Sequence, residues 1–488
     1  MVVSLCDGFE SRSNYMKLSK YLGDKPFWQV TLRLAVPIAL QNLLTNSFAL
    51  VDTLMVSRLG DVNLSAVGMA GQWTWFMNLL SWGLCGGMNV FVSQFWGVRD
   101  LKGIRRTFGM ALLSCLLLSG LFLAVACIRP EFVLRLFNKD PAVVEAGCRY
   151  LRIACLSYPA VALTLVMSNL LRSTERVLLP LSVSAVTTVV NALVNYALIF
   201  GKFGMPELGV AGAAVGTCVS AWMGPVLIGL FSIKSGNLLT GPVKELFAFA
   251  GKHLKEFFRK AMPVVLNEGM WALGIITLNM IYANMGYEYY AGMTVFKTFG
   301  DLAFSFYAGL GSACVVMVGK SIGKGKIARG LEDALRFTVL VPLTGVVVGG
   351  LTILLRHPLI SIFSTGDNLS ATALQTALAV TVFCSAEISL RNMSYVQVVG
   401  VFRSGGDTTV GMLLDLGSIW LISIPAALVA AHVLHLPFFA VVVVAYLFED
   451  IPKDIFCLLH FKSRKWLKPV TPEGKAGLEE YNKEKASR

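Results

Sequence analysis

The chain has 488 residues, 55% of them hydrophobic and only 15% charged, with a mean hydropathy of +0.67. A water-soluble surface of this size needs far more charge, so a soluble enzyme or binding domain is excluded and the chain reads as an all-α polytopic membrane protein. The formal net charge of +13 is then first an excess of Lys and Arg in cytoplasmic loops, and no nucleic-acid partner is expected.

Residues 1–32 are polar and mixed, carry no cleavable signal pattern, and read as a cytoplasmic N-terminal segment. Apolar runs of membrane length follow at 33–57, 64–97, 107–128, 145–171, 178–200 and 209–233. A basic stretch, 234–259, reads as a cytoplasmic linker and as the best candidate for an amphipathic segment on the membrane surface, with a plain solvated linker the competing reading. Six more runs lie at 260–285, 290–318, 332–355, 371–402, 410–431 and 438–461, and the charged tail 462–488 reads as frayed and cytoplasmic. The fold expected is twelve transmembrane helices in two six-helix lobes, 33–233 and 260–461. Most of the 42 Lys and Arg fall in the terminal segments and in the loops after even-numbered runs, which puts both termini in the cytoplasm.

The two lobes are copies. Slid back by 226 residues, Pro263, Gly286, Gly309 and Gly323 fall on Pro37, Gly60, Gly83 and Gly97, and Asn267-Glu268 falls on Gln41-Asn42. A second register, offset by 231, brings Arg403-Ser404 onto Arg172-Ser173. Six spans per copy give the copies one orientation, a parallel repeat of the kind transporters use.

The charges are where the copies differ. An uncompensated charge at the bilayer centre costs at least about 2.5–3.5 kcal/mol, so Asp52, Glu268, Lys297, Asp301, Glu387, Arg391 and Asp415 each need a partner, water or a bound cation. Lys297 and Asp301 are four apart on one helix face, as are Glu387 and Arg391, so intrahelical ion pairs and a transport role stand level. Glu268 has no such local partner and lies about 12 Å into its helix, where a proton or monovalent cation would neutralise it. Asp52 is alone in the outer part of the first span, with Asn191 and Asn195 of the fifth placed to share a cavity with it. Gln41, Asn42 and Asn267 add polar groups at matching depth. Arg33, Arg149, Arg152 and Lys453 are read as snorkelling. Trp73, Trp75, Phe76, Phe299, Phe304 and Tyr307 are candidate cavity aromatics, although packing or lipid contact is the commoner use of such residues.

The ten cysteines show no CxxC and no paired spacing, and the five histidines no metal-ligand spacing. No GxxxxGK[ST] occurs, which argues against direct ATP coupling, and no filter motif points to a channel.

Pro37 with Val51-Asp52-Thr53, Leu59-Gly60 and Val92-Ser93-Gln94, then Leu171-Arg172-Ser173 with Asn191 and Asn195, resemble the first half of the multidrug and toxic compound extrusion (MATE) transporters. Pro263 with Asn267-Glu268, Phe402-Arg403-Ser404 with Asp407-Thr408, and Leu414-Asp415 resemble a branch of that family common in Gram-positive anaerobic bacteria. The resemblance implies a transporter and no enzyme: an antiporter of the plasma membrane, functional as a monomer among membrane lipids, exporting drug-like or amphiphilic organic compounds by alternating access in exchange for Na⁺ or H⁺. It implies no cofactor, with Na⁺ at Asp52 or Glu268 the only metal expected. By position Asp52 corresponds to the family's first-helix carboxylate, Asn195 stands where some members carry a fifth-helix acid, and Glu387 stands in for a tenth-helix acid. Cation coupling is thus assigned to Asp52, Glu268, Asp301 and Glu387, and substrate contact to Gln41, Asn42, Asn191, Asn195, Asn267, Lys297 and Arg391. The alternative is a lipid-linked oligosaccharide or lipid flippase of the same superfamily, which Lys297 and Arg391 would suit.

Overall fold

The computed structural model describes residues 21–137, 139–364 and 370–487, with the backbone alone at 48–50 and 362–364. Of the expected N-terminal segment, residues 1–20 lie outside the described residues. All regular structure among the described residues is helical, dominated by twelve long helices. They are α1 (Lys25–Ser57), α2 (Asp61–Val98), α3 (Leu101–Ile128), α4 (Pro141–Ser173), α5 (Leu178–Ile199), α6 (Val210–Ser235), α7 (Gly251–Asn284), α8 (Tyr287–Gly323), α9 (Ile327–Leu354), α10 (Ala371–Gly405), α11 (Thr408–Val433) and α12 (Phe438–Ser463). All but α2 and α12 are long and apolar enough to cross a membrane on length and composition. Glycine and polar residues dilute α2, and the run Glu449-Asp450-Ile451-Pro452-Lys453-Asp454 interrupts α12.

Short polar side chains start several helices. Asp24, Asp100, Asp140 and Ser370 each accept a backbone N–H of the first turn, satisfying a donor that the helix itself leaves open.

The repeat recurs in the backbone. Gly60 and Gly286 precede α2 and α8 with φ of 92° and 140°, while Arg99 and Gly325 follow the same helices with φ of 60° and 76°. In the second register, Glu175 at 64° matches Gly406 at 92°. Two positions that are glycine in the second copy thus carry a side chain in a left-handed conformation in the first.

The chain packs as two compact units, Pro37–Gly269 and a second that joins Met270 onward to the chain up to Val36. These breaks differ from the expected lobe limits at 33, 233 and 260, because α1 and α7 each belong to both units. Residues 25–36 pack into the C-terminal unit: Phe27 is 2% exposed and sits edge-on to Phe337 at 5.2 Å, and Asp24 lies 3.7 Å from Arg336. Residues 251–269 pack into the N-terminal unit, where two glycines of α2 let them approach closely. A Cβ at Gly83 would lie 2.6 Å from Val265 Cα, one at Gly87 would overlap Ala261, and Phe91 meets Phe257 at 6.3 Å. Glu268, expected in the second lobe, therefore packs with the first.

The expectation of a frayed tail is overturned. Trp466 is fully buried and stacks on Phe461, Lys468 N donates to Gly405 O at 2.7 Å, and Thr471 Oγ1 donates to Gly323 O at 2.8 Å. A further helix, α13 (Pro472–Ser487), follows, held by Arg464 donating to the Tyr481 hydroxyl at 2.7 Å. One buried indole and a run of satisfied backbone groups outweigh the segment's polar composition.

Candidate functional site

Each unit carries a buried polar network, and the charged residues fall mainly into these.

In the N-terminal unit, α1, α5 and α6 converge on Asp52. The half-buried carboxylate accepts from Asn195 Nδ2 at 2.8 Å, and Asn195 is only 1% exposed. With its amide nitrogen toward the acid, Asn191 lies 2.9 and 3.1 Å from the two Asp52 oxygens while its oxygen accepts from Ser220 Oγ at 3.1 Å. That orientation wins over the reverse because a carboxylate offers only acceptors. A Cβ at Gly216 would overlap Asn195 Oδ1, so α6 must be bare at that point. The structure thus brings together Asp52, Asn191 and Asn195, and adds Ser220 and Gly216, which the sequence reading missed.

Deeper in the same unit, Arg172 is 8% exposed and donates from Nη2 to Gln41 Oε1 at 2.6 Å, while Gln41 Nε2 donates to Ser184 Oγ at 2.7 Å. Asn89 joins Asn169 and Ser173 nearby, at 3.3 and 2.9 Å. Gln41, 7% exposed and engaged at both amide atoms, is part of the scaffold here. Asn42 is half-buried on α1, Asn267 is 4% exposed on α7, and Glu268 beside it is half-buried.

In the C-terminal unit neither intrahelical pair forms within 4 Å among the described residues. Lys297 donates instead to Asn279 Oδ1 of α7 at 2.6 Å, and Asp301 is exposed. Arg391 lies over the Tyr446 ring at 4.8 Å. Glu387, 4% exposed, faces Asp450 of α12, acid against acid.

The densest cluster was not expected. Lys453, read as snorkelling, is 5% exposed and lies 3.3 Å from Asp415 Oδ1, 3.5 Å from Glu449 Oε1 and 3.4 Å from Asp450 Oδ1. Asp454 is also buried, at 4%. Glu387, Asp415, Glu449, Asp450 and Asp454 thus gather around Lys453 and Arg391, an excess of acid where water is scarce. The signal for it lay in four charges within six residues of an apolar run. Nearby, α10 and α11 widen into π-helical turns at Val396–Phe402 and Ser418–Ser423, a departure frequent at functional positions.

Of the candidate aromatics, Trp73 and Phe76 pack on Phe122, and Tyr307 is fully buried. Trp75 and Phe304 remain exposed, at 42% and 43%. Among the described residues, no group of three or more His, Cys, Asp or Glu is arranged to hold a metal ion.

Two repeated helical copies of membrane length, each enclosing ionisable side chains in apolar surroundings, define a polytopic transporter of the internally duplicated kind. The MatE family model matches residues 37–197 and 263–446, each match opening on one of the paired prolines. The chain belongs to the MatE family, whose members are transporters and not enzymes. It is 25% identical over 440 residues to the probable multidrug resistance protein NorM of Thermotoga maritima, covering 90% of this chain and 92% of that one. It is 24% identical to the multidrug resistance protein NorM of Vibrio cholerae, covering 81% and 85%. In fold it resembles a MATE crystallised with MaL6, at a TM-score of 0.81 and 17% identity over 91% of this chain and 98% of that one. A MOP superfamily transporter from Pyrococcus furiosus, described for the reversed polarity of its binding pocket, superposes equally well, at 0.81 and 17% identity over 92% and 97%.

Proposed function

We propose that this transporter is a secondary active multidrug exporter of the plasma membrane, moving drug-like or amphiphilic organic compounds outward by alternating access in exchange for Na⁺ or H⁺. Relatives named as multidrug resistance proteins support the substrate class. The observation that carries the coupling is Asp52, an acid inside a membrane helix whose partners are neutral amides and not a counter-charge. Such a carboxylate has no counter-charge among these partners, so a proton or a small cation must neutralise it, and the amides fix where that cation sits. Exchange follows when cation and substrate favour different states of the same protein, so that each expels the other. Glu268, Asp301 and Glu387 are assigned the same cation role, and Asn42, Asn191, Asn195, Asn267, Lys297 and Arg391 substrate contact. Gln41 belongs with these in sequence, but its bonds to Arg172 and Ser184 suit a positioning role. Both termini are placed in the cytoplasm and the monomer is taken as the working unit.

The test is transport in proteoliposomes under imposed Na⁺ or pH gradients, comparing wild type with Asp52→Asn and Glu268→Gln. Loss of gradient-driven uptake with substrate binding retained is expected. If both variants couple normally to either gradient, the cation roles are wrong. The competing reading, a flippase for lipid-linked anionic headgroups, draws on Lys297 and Arg391. It predicts lipid translocation that proceeds in the same vesicles without either gradient.

A further inference from the structure

On α6, Val219, Trp222, Val226, Leu230 and Ile233 are between 45% and 72% exposed and share one helix face, as a lipid-facing stripe does. Beyond Ser235 the chain does not swing free. The turns Leu238–Thr240 and Val243–Leu246 are fastened across the start of α3. Arg105 Nη1 meets Glu245 Oε2 at 2.6 Å, and Arg105 Nε donates to Leu238 O at 3.4 Å. Arg106 Nη1 and His253 Nε2 are 2.8 Å apart, and Gly109 gives the Leu246 carbonyl room to approach. The opposite side of this strap presents Val243, 65% exposed, and Phe247, 52% exposed. Lys244 is exposed between them, and Lys252, Lys255 and Arg259 are exposed along the first turns of α7, against the single exposed acid Glu256.

We propose that this strap is a docking platform for anionic phospholipid headgroups of the cytoplasmic leaflet. Two apolar side chains tethered beside a lipid-facing stripe enter the boundary between headgroups and acyl chains, and the basic side chains around them neutralise lipid phosphates. The complementarity is specific in sign, since the inner leaflet is the negatively charged one. It is also prefastened: Arg105, Arg106 and Gly109 hold the strap on the unit through contacts within the protein. The sequence alone left an amphipathic segment and a solvated linker level; the fastened inner side and the exposed Val243 and Phe247 favour the first.

The experiment is native mass spectrometry of the full chain in detergent, titrated with phosphatidylglycerol or phosphatidylcholine. Wild type is expected to retain phosphatidylglycerol in preference. Lys244→Gln, Lys252→Gln and Lys255→Gln should each lower phosphatidylglycerol affinity by up to about fivefold and leave phosphatidylcholine retention unchanged. Phe247→Ser should lower retention of both lipids. All four side chains are exposed, so an unchanged unfolding temperature is the control for folding. Equal retention of the two lipids by wild type, or an unaltered phosphatidylglycerol affinity in the triple Lys→Gln variant, would overturn the proposal. Displacement of the lipid by inorganic phosphate would do the same, because it would make the site one for a soluble anion.

Discussion

Asn195 Nδ2 donates to Asp52 Oδ1 across 2.8 Å, and Gly216 on the next helix leaves no space behind that amide. The carboxylate is therefore aimed by a side chain that is itself wedged in place. Gly216→Ala should push the amide off the acid without touching any charge. A hydrogen bond to a charged group contributes about 1.5–3 kcal/mol, so the apparent affinity for the coupling ion should fall by about ten- to a hundredfold. Ion-dependent transport in proteoliposomes measures this, and an unchanged ion dependence would mean that Asn195 does not position Asp52.

The same distance makes Asn195→Asp informative. Two carboxyl groups this close cannot both stay ionised without a cation between them. The variant should tighten binding of the coupling cation and shift the pH dependence of transport, while Asn195→Ala should weaken binding. Parallel behaviour of the two variants would remove the acid–amide pair from the coupling step.

Lys453 is central to the second unit. Its ammonium is the near counter-charge of Asp415, Glu449 and Asp450, so Lys453→Met leaves two buried carboxylates and the half-buried Asp415 facing each other. Breaking a buried pair from one side costs about 3–5 kcal/mol, and the unfolding temperature in detergent should fall accordingly. Sodium should restore part of that loss and choline none, because only the small ion fits where the ammonium sat. Removing Asp415 as well, in Lys453→Met/Asp415→Asn, should recover part of the stability without salt, Glu449 and Asp450 being left. A Lys453→Met protein as stable as wild type would show that these acids do not depend on the lysine.

The parts of this arrangement that sequence exposes are those with a local period or a repeat. Twelve apolar runs, the 226-residue offset and the spacing of Asn191 and Asn195 needed only one-dimensional information. Local spacing also misled. Lys297 and Asp301 are well placed to pair, but Asn279 of the preceding helix offers the lysine an oxygen at 2.6 Å, and Arg391 turns to Tyr446. Which of several nearby acceptors a long cation reaches depends on interhelical packing, which spacing does not encode. The acids of α12 were visible as charges, and only their burial against α10 and α11 separates a cage from a snorkelling end.

The tail accounts for one asymmetry between the copies. Arg99 and Glu175 hold left-handed backbone that Gly325 and Gly406 hold in the second copy. A Cβ at Gly406 would overlap the Lys468 carbonyl, and one at Gly325 would lie 2.7 Å from the Glu473 carbonyl. Backbone conformation alone would therefore tolerate asparagine at 406, since asparagine enters the left-handed region at low cost. If the passing tail is what excludes a side chain, Gly406→Asn and Gly406→Ala should both destabilise the protein by about 1–3 kcal/mol. In a chain ending at Arg464, Gly406→Asn should become nearly neutral while Gly406→Ala keeps its conformational penalty of about 1–2 kcal/mol. Thermal unfolding of the four variants and their two parent chains in one detergent decides the point. A Gly406→Asn variant harmless in the full chain would show that the tail yields at this position.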